Sequence, residues 1–589
     1  GEDPISIGLW VGSQTTYNTN EKAIRQFLAL EKGQDDTYNF IAMKCPCCGT
    51  QIGPVDSPTK NERIKGLKKD DAKKRILFSC ENISCEYFDR ELPLYVVDED
   101  IYQKSPTLVL GTVDKFAMLT WKEQSGRLFG FREDSNGDYY RIKPPVLIIQ
   151  DELHLISGPL GTIVGLYETL VQTLCTDYSR NRSPFYSSDG SRFFPPKIVA
   201  SSATISRAEE QVRALYRSDK LNIFPPQGLT FGDTWFSEEQ KDKPGRKYLG
   251  ILAPGYQSGQ TTVVRIYSAL MQAVSDAAFP DVEKDFYWTL LGFFNSIREL
   301  GMASSLINAD IADYLRVLHE RKLIPAGKRR YVRNQIELTS RISSGKIPEY
   351  LKTLEERFTG KKSKAADSCL ATNMIATGVD ISRLGLMVIH GQPKTTAEYI
   401  QASSRVGRDK DGPGIVITLY SPSKPRDKSQ YEQFQGYHGR IYSGVEPTSV
   451  TPFSVNAVQR ALHAVLIGLI RHFAQKELRK NPSVARNERE FGQLKNWARE
   501  LILDRCRFID PGELEEVEKL LDEKIRFIER GFSEYGKASN MNISRSSGTI
   551  PLMYGLGGDI PAELKARSLP TPTSMRGVDR ESRIGVFYD

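Results

Sequence analysis

The sequence predicts an α/β protein with two parallel-sheet domains in tandem, a cysteine-rich insertion in the first and a mostly helical C-terminal region. Three observations predict it. Strand-like and helix-like segments alternate from residue 94 to 218 and again from 262 to 425; a Pro/Gly-dense stretch at 219–261 separates the two runs; and after about residue 450 apolar residues recur at helical spacing, as Leu514, Val517, Leu521, Ile525 and Ile528 do.

The first domain is expected over 1–218. "ISIGLWVG" reads as a strand, Asn20 to Leu30 as a helix, and residues 41–92 as the cysteine-rich insertion. "LYVV", "TLVLGT", "PVLIIQD" and "KIVASSAT" are further strands, with a helix over Gly161 to Leu174. In the second domain, 262–425, the strands are "TLLGFFNS", "SCLATN", "GLMVIHG" and "GIVITLY". Residues 426–589 form a loop, 437–454, followed by helices; "SMRGVD", from Ser574 to Asp579, is expected to be an exposed docking segment.

A chain of 589 residues is too long for one core. With 39% hydrophobic and 26% charged residues it has the balance of an ordinary folded protein. The net charge of +7 permits a polyanionic partner without demanding one. The longest apolar stretch, Ala461 to Ile470, is half a bilayer span and is bracketed by Arg460 and Arg471, so a buried helix and no membrane association is expected. "GEDPISIGLW" lacks a basic region followed by an apolar one, and a cytoplasmic location is expected.

Five of the eight cysteines fall between residues 45 and 85. Cys45 and Cys48 form a C-x-x-C knuckle with Gly49 at its turn, and Cys80 and Cys85 form a second pair; four thiolates suit a tetrahedral Zn2+. Cys47 is an alternative ligand in the first pair, although the C-P-x-C register favours leaving it out. The basic run between the pairs, with Lys60, Arg63, Lys65, Lys68, Lys69, Lys73, Lys74 and Arg75, reads as a solvated loop or as a contact to a phosphate backbone.

"LIIQDELH" is a strand ending in two carboxylates. In an ATPase with two α/β domains, such a strand sets Asp151 at Mg2+ and Glu152 at the attacking water. The rival "VVDED", with Asp98 and Asp100, is expected to be a surface turn because Pro106 follows. Ser202, Ala203 and Thr204 end a later strand and can bridge the carboxylates to a neighbouring site. In the second domain Thr372, Gly378 and Asp380 follow a strand, and Gln401, Arg405 and Arg408 fall on an expected helix whose arginines, three apart, reach together towards a γ-phosphate.

D-E-x-H, S-A-T, T-x-x-x-x-x-G-x-D and Q-x-x-x-R-x-G-R, in that order, resemble motifs II, III, V and VI of superfamily 2 helicases across residues 90–425. The resemblance implies RecA-like domains and an ATP- and Mg2+-dependent DNA helicase or translocase. It implies that Gln401 serves catalysis beside the two arginines, and that His154, Gly378 and Asp380 contact the nucleotide. Gly111, Thr112 and Lys115 would hold the nucleic-acid backbone, with Asn295, Ser296 and Thr372. Ala402 and Ser404 depart from the usual Arg and Gly of motif VI, which puts the details of the nucleic-acid contacts in doubt. "QDELHLISGPLGT", "KYLGILAPGYQSGQT", "TPFSVNAVQRALHAVLIGLIRH" and "PTPTSMRGVD", with the zinc block, are similar to the DrmA family of helicase subunits from the bacterial DISARM anti-phage system, which implies a DrmB-like partner.

No G-x-x-x-x-G-K-[ST] occurs in the chain; Gly345 and Lys346 are followed by Ile347 and a proline. The phosphate loop is expected upstream of Gly1. The alternatives to a DNA motor are a nucleic-acid-binding scaffold with an inactive motor and an RNA-directed D-E-x-H helicase.

Overall fold

The computed structural model describes residues 4–12, 15–35, 37–55, 64–178, 194–202, 207–226, 228–230, 233–238, 240, 242–243, 245–255, 258–325, 327–342, 346–360, 363–372, 380–475, 478–479, 488–529, 552–556 and 567–576. They fall into two compact units. One holds the chain up to Ser202, Arg207–Leu221 and everything from Thr448 on; the other holds Asn222–Pro447. The region set apart by sequence as 426–589 is therefore divided, and its helices belong to the first unit.

In the second unit six strands form a wholly parallel sheet in the order Lys247–Leu252, Ile415–Tyr420, Leu386–His390, Leu290–Phe294, Ser368–Ala371, Gln335–Leu338. The unbroken apolar runs LLGFF and SCLA are buried at every position, as strands covered on both faces must be. Its first strand, Lys247–Leu252, pairs Tyr248 with Val416 and corrects the reading of 219–261 as linker throughout. Residues 437–454 are likewise not all loop: a short helix, Phe434–Gly439, places His438 Nε2 2.9 Å from the Tyr399 hydroxyl.

Two buried ion pairs brace this unit. Arg330 meets Asp367 at 2.8 Å. Arg383 donates to the Leu354 carbonyl at 2.7 Å, the Thr289 hydroxyl at 2.7 Å and the Asp285 carboxylate at 3.1 Å. Burial pushes the Arg383 pKa down while Asp285 opposes that shift, so the pair stays charged only as a pair. Arg383→Ala would leave Asp285 buried and uncompensated, and is expected to destabilise this unit by about 3–5 kcal/mol in urea unfolding.

The first unit holds a parallel three-stranded sheet, ordered Leu94–Tyr95, Ile7–Trp10, Leu108–Gly111, and a parallel pair, Leu147–Gln150 with Lys197–Ala200. Ile148 and Ile198 face the core, whereas Leu147, Ile149 and Val199 on the opposite face are exposed, as are Leu108 and Leu110. The core is built on the helix Gly158–Cys175, against which the helix Val455–Phe473 packs. Gly468 makes the close approach possible: a Cβ there would lie 2.6 Å from Leu170 Cδ2. The expected apolar stretch Ala461 to Ile470 is buried within that helix, and among the described residues no helix is long and apolar enough to cross a membrane. Val517, Leu521, Ile525 and Ile528 are buried along the helix Leu514–Glu529, as their spacing predicts.

The end of the described chain is docked, not exposed. The strand Leu569–Thr571 pairs with Met553–Gly555, the Trp121 indole donates to the Pro572 carbonyl at 2.9 Å, and Asp114 accepts the Ser574 hydroxyl at 2.5 Å. Gly577 to Asp579 lie outside the described residues. "VVDED" is also corrected. Asp98–Lys104 is a helix with Asp98 and Asp100 buried, and it stops at Ser105, one residue before the proline.

In the cysteine module two antiparallel pairs, Gly53–Pro54 with Ile64–Lys65 and Leu67–Asp70 with Arg75–Phe78, close a small core of Ile52, Leu67, Ile76 and Phe78 under the helix Asn20–Glu31. The basic run is largely committed within this module: Arg75 is buried against Glu91, Lys68 pairs with Asp89 and Lys69 with Asp71. Lys60 and Arg63 lie outside the described residues.

Candidate active site and metal centre

Backbone pairing continues past the ends of the Leu147–Gln150 and Lys197–Ala200 strands. Ser201 N–H donates to the Gln150 carbonyl at 2.9 Å and Leu153 N–H to the Ser201 carbonyl at 2.8 Å. This register sets the Ser201 hydroxyl on the exposed Asp151 carboxylate as a donor. Glu152 takes φ 51° and ψ 51°, a left-handed conformation that costs a residue with a Cβ about 1–2 kcal/mol. It turns the chain so that His154 Nδ1 lies 3.4 Å from Glu152 Oε2 and 3.2 Å from Ser202 Oγ.

His154 itself is buried. The turn is held from beneath by Gln211, a buried side chain on the helix Ala208–Tyr216 that donates to the Leu153 and Ile156 carbonyls at 3.2 and 2.9 Å. Sequence reasoning passed over Ser201 and Gln211. Ser201 precedes the S-A-T triplet by one residue, and Gln211 carries no motif. Ala203 and Thr204 lie outside the described residues.

In the second unit the helix Thr396–Ser403 is capped by Thr395, whose hydroxyl accepts from Glu398 N–H. Gln401 is buried on this helix. Arg405 and Arg408, expected on the same helix, lie beyond its end. The chain turns at Gly407, φ 66°, where a Cβ would sit 2.4 Å from the Gly414 nitrogen, so only glycine fits. The two arginines are thus arranged by a glycine turn and not by helical periodicity. Arg408 Nη1 meets Asp380 Oδ1 at 2.5 Å, joining two of the expected residues, while its Nε donates to the Ser404 carbonyl at 2.9 Å. Gly378 lies outside the described residues.

Asn295 and Ser296 are exposed, but both serve the fold: Asn295 Nδ2 donates to the His390 carbonyl at 2.8 Å, and Ser296 caps the helix Ile297–Leu306. Beside them His390, absent from the sequence expectations, stacks on Phe294 at 4.1 Å with its Nε2 2.7 Å from the Tyr267 hydroxyl. Burial pushes its pKa down to about 3, so it is neutral. Thr372 ends the Ser368–Ala371 strand, half-buried. Gly111 and Thr112 are exposed at the end of the Leu108–Gly111 strand. Lys115 departs from the expected phosphate contact. It is buried, with its ammonium 2.5 Å from Asp98 Oδ2 and 3.2 Å from Asn18 Oδ1, and is committed to the fold.

Cys45, Cys48, Cys80 and Cys85 bring their sulfurs within 4.8 Å of one another, with Cys45–Cys85 at 3.9 Å and Cys48–Cys80 at 3.5 Å. Around a tetrahedral zinc with bonds of about 2.3 Å the sulfurs stand about 3.8 Å apart, so the four residues fit that ion. Gly49, φ 76°, turns the knuckle as its spacing requires. A hydrogen bond to Thr50 Oγ1, 3.1 Å away, draws the Cys48 thiol down to about 6, towards the thiolate a metal needs. Cys47 is exposed and outside the group.

The helicase conserved C-terminal domain family matches residues 328–410. DISARM protein DrmA of Bacillus paralicheniformis is 36% identical over 635 aligned positions, covering 100% of this chain and 53% of that protein. The chain therefore spans about half the length of that relative. Nucleolar RNA helicase 2 of Mus musculus is 30% identical over 131 residues, 22% of this chain and 15% of that protein. Among solved structures, the DUF1998 helicase MrfA bound to DNA covers 79% of this chain and 48% of its own, at 15% identity and a TM-score of 0.44. The helicase motifs and the likeness to DrmA read from the sequence are both borne out by the family match and the full-chain alignment.

Proposed function

We propose that this DrmA-like chain of the superfamily 2 helicases is the motor portion of an ATP-dependent DNA helicase or translocase that acts on phage DNA in a DISARM-type complex with a DrmB-like partner. The observation that carries the reading is the Asp151–Glu152–His154 turn, strained at Glu152 and tied by two hydroxyls to the neighbouring strand. Backbone strain of this kind persists where surrounding structure enforces it, and it clusters at catalytic turns.

Asp151 would hold Mg2+, which neutralises charge on the β- and γ-phosphates. Glu152 takes the proton of the attacking water as its oxygen bonds to the γ-phosphorus and the bond to the β-phosphate oxygen breaks. His154, between Glu152 and Ser202, orients the base. Arg405 and Arg408 stabilise the phosphate charge that grows in the transition state. Gly111 and Thr112 are open to a nucleic-acid backbone, whereas Lys115 supports them from within. The exposed apolar side of Leu147, Ile149 and Val199 supports placing the layer that carries the phosphate loop there, because parallel strands are covered on both faces.

DNA-stimulated ATP hydrolysis by the full-length protein tests the reading; hydrolysis indifferent to DNA, or stimulated only by RNA of equal length, defeats it. Arg405→Ala is expected to lower kcat about a hundredfold. The ATP KM should move far less, which steady-state phosphate release measures.

A further inference from the structure

Residues 222–240 enter none of the steps above. Among them Ile223, Phe224, Leu229, Trp235 and Phe236 are 69, 74, 94, 66 and 69% exposed. Single exposed apolar side chains are ordinary, but five large ones between positions 223 and 236 form a patch that water disfavours. The backbone holds them outward through its own polar bonds. Gly228 N–H donates to the Asp233 carbonyl at 2.9 Å, Thr234 N–H to the Ser237 carbonyl at 2.9 Å, and Thr234 Oγ1 accepts from the N–H groups of Phe236 and Ser237 at 3.1 and 2.9 Å. The Phe224 and Phe236 rings pack with centroids 4.8 Å apart. The segment is a braced turn presenting aromatic side chains.

Charge decides what it presents them to. Residues 222–240 contain no Lys or Arg, and Asp233, Glu238 and Glu239 are acidic. A phosphate backbone or an anionic lipid surface would be repelled. Aromatic side chains dominate the energetics of protein interfaces, and acidic neighbours select a cationic rim. We infer that this turn is a docking surface for a protein partner, whose apolar pocket receives Trp235 and Phe236 and whose rim places Lys or Arg opposite Asp233 and Glu238. The inference rests on the proposed complex and deepens it by assigning one of its surfaces.

The probe is the purified DrmB-like protein, titrated against full-length wild type and against a Trp235→Ser, Phe236→Ser double variant by biolayer interferometry. The positions are exposed, so the variant should fold, which circular dichroism checks. Its DNA-stimulated ATP hydrolysis without partner should match wild type. The expected result is binding by wild type and about 30-fold weaker binding by the double variant. Glu238→Lys should weaken binding more at low salt than at high salt. A double variant that binds the partner as tightly as wild type overturns the assignment and leaves the complex standing; wild type that does not bind overturns both. Loss of affinity for a single-stranded DNA 30-mer or for phosphatidylglycerol vesicles in place of the protein also overturns it.

Discussion

Replacing Glu152 with Gln is expected to lower ATP turnover in the full-length protein by about 10²- to 10⁴-fold while nucleotide still binds. Gln keeps the length of the side chain and meets the same backbone conformation at φ 51°, so the turn that carries Asp151 and His154 should persist. What disappears is the ability to accept a proton. Asp151→Asn should behave differently, because loss of the metal carboxylate weakens Mg2+-dependent nucleotide binding as well as turnover. Single-turnover phosphate release, paired with equilibrium binding of a fluorescent ATP analogue, separates the two. Glu152→Gln turning over at the wild-type rate would place the base elsewhere and remove the main support for the motor reading.

Stripping the metal from the four-cysteine group should have a comparably large effect, on folding in place of chemistry. The module has a small core, with Ile52, Leu67, Ile76 and Phe78 grouped around the cysteines, and its strands are two to four residues long. Domains of that size draw much of their folding free energy from the ion, about 10–16 kcal/mol apparent for zinc-finger peptides at neutral pH. Cys80→Ser is expected to abolish stoichiometric zinc release on treatment with a thiol reagent and to open residues 41–92 to protease. Cys47→Ser, outside the group, should do neither. A Cys80→Ser protein as protease-resistant as wild type would show that packing alone holds the module.

The parts of the fold that sequence revealed are those whose side chains answer to their immediate neighbours. Leu290–Phe294 and Ser368–Ala371 announce themselves as apolar runs because they are buried on both faces. Lys247–Leu252 hid among Pro and Gly at the sheet edge, with only one strand beside it. The helix at Asp98 was concealed for a different reason: its acidic first turn looks like solvent-facing chain until Lys115, seventeen residues later, is seen to neutralise Asp98 inside the protein. In the candidate site, Asp151, Glu152 and His154 were legible as a strand running into carboxylates. Arg405 and Arg408 were identified as residues but given the wrong scaffold, because the helix gives way at Ser403 to a turn made by Gly407. Gln211 acts through two carbonyls and left no trace in spacing at all.

The first unit is finished by residues that come after the whole of the second. The Thr120 hydroxyl donates to the Ala464 carbonyl across 344 residues of sequence, and Trp121 reaches Pro572 across 451. During synthesis, the helix Gly158–Cys175 therefore emerges long before Val455–Phe473 exists to cover it. At ribosomal rates of about 5–20 residues per second the interval is on the order of tens of seconds. For that time the nascent chain carries an uncovered apolar helix while the second unit, continuous in sequence, can fold on its own. The order of folding thus runs opposite to the order of translation, and the earliest-made core depends most on chaperones.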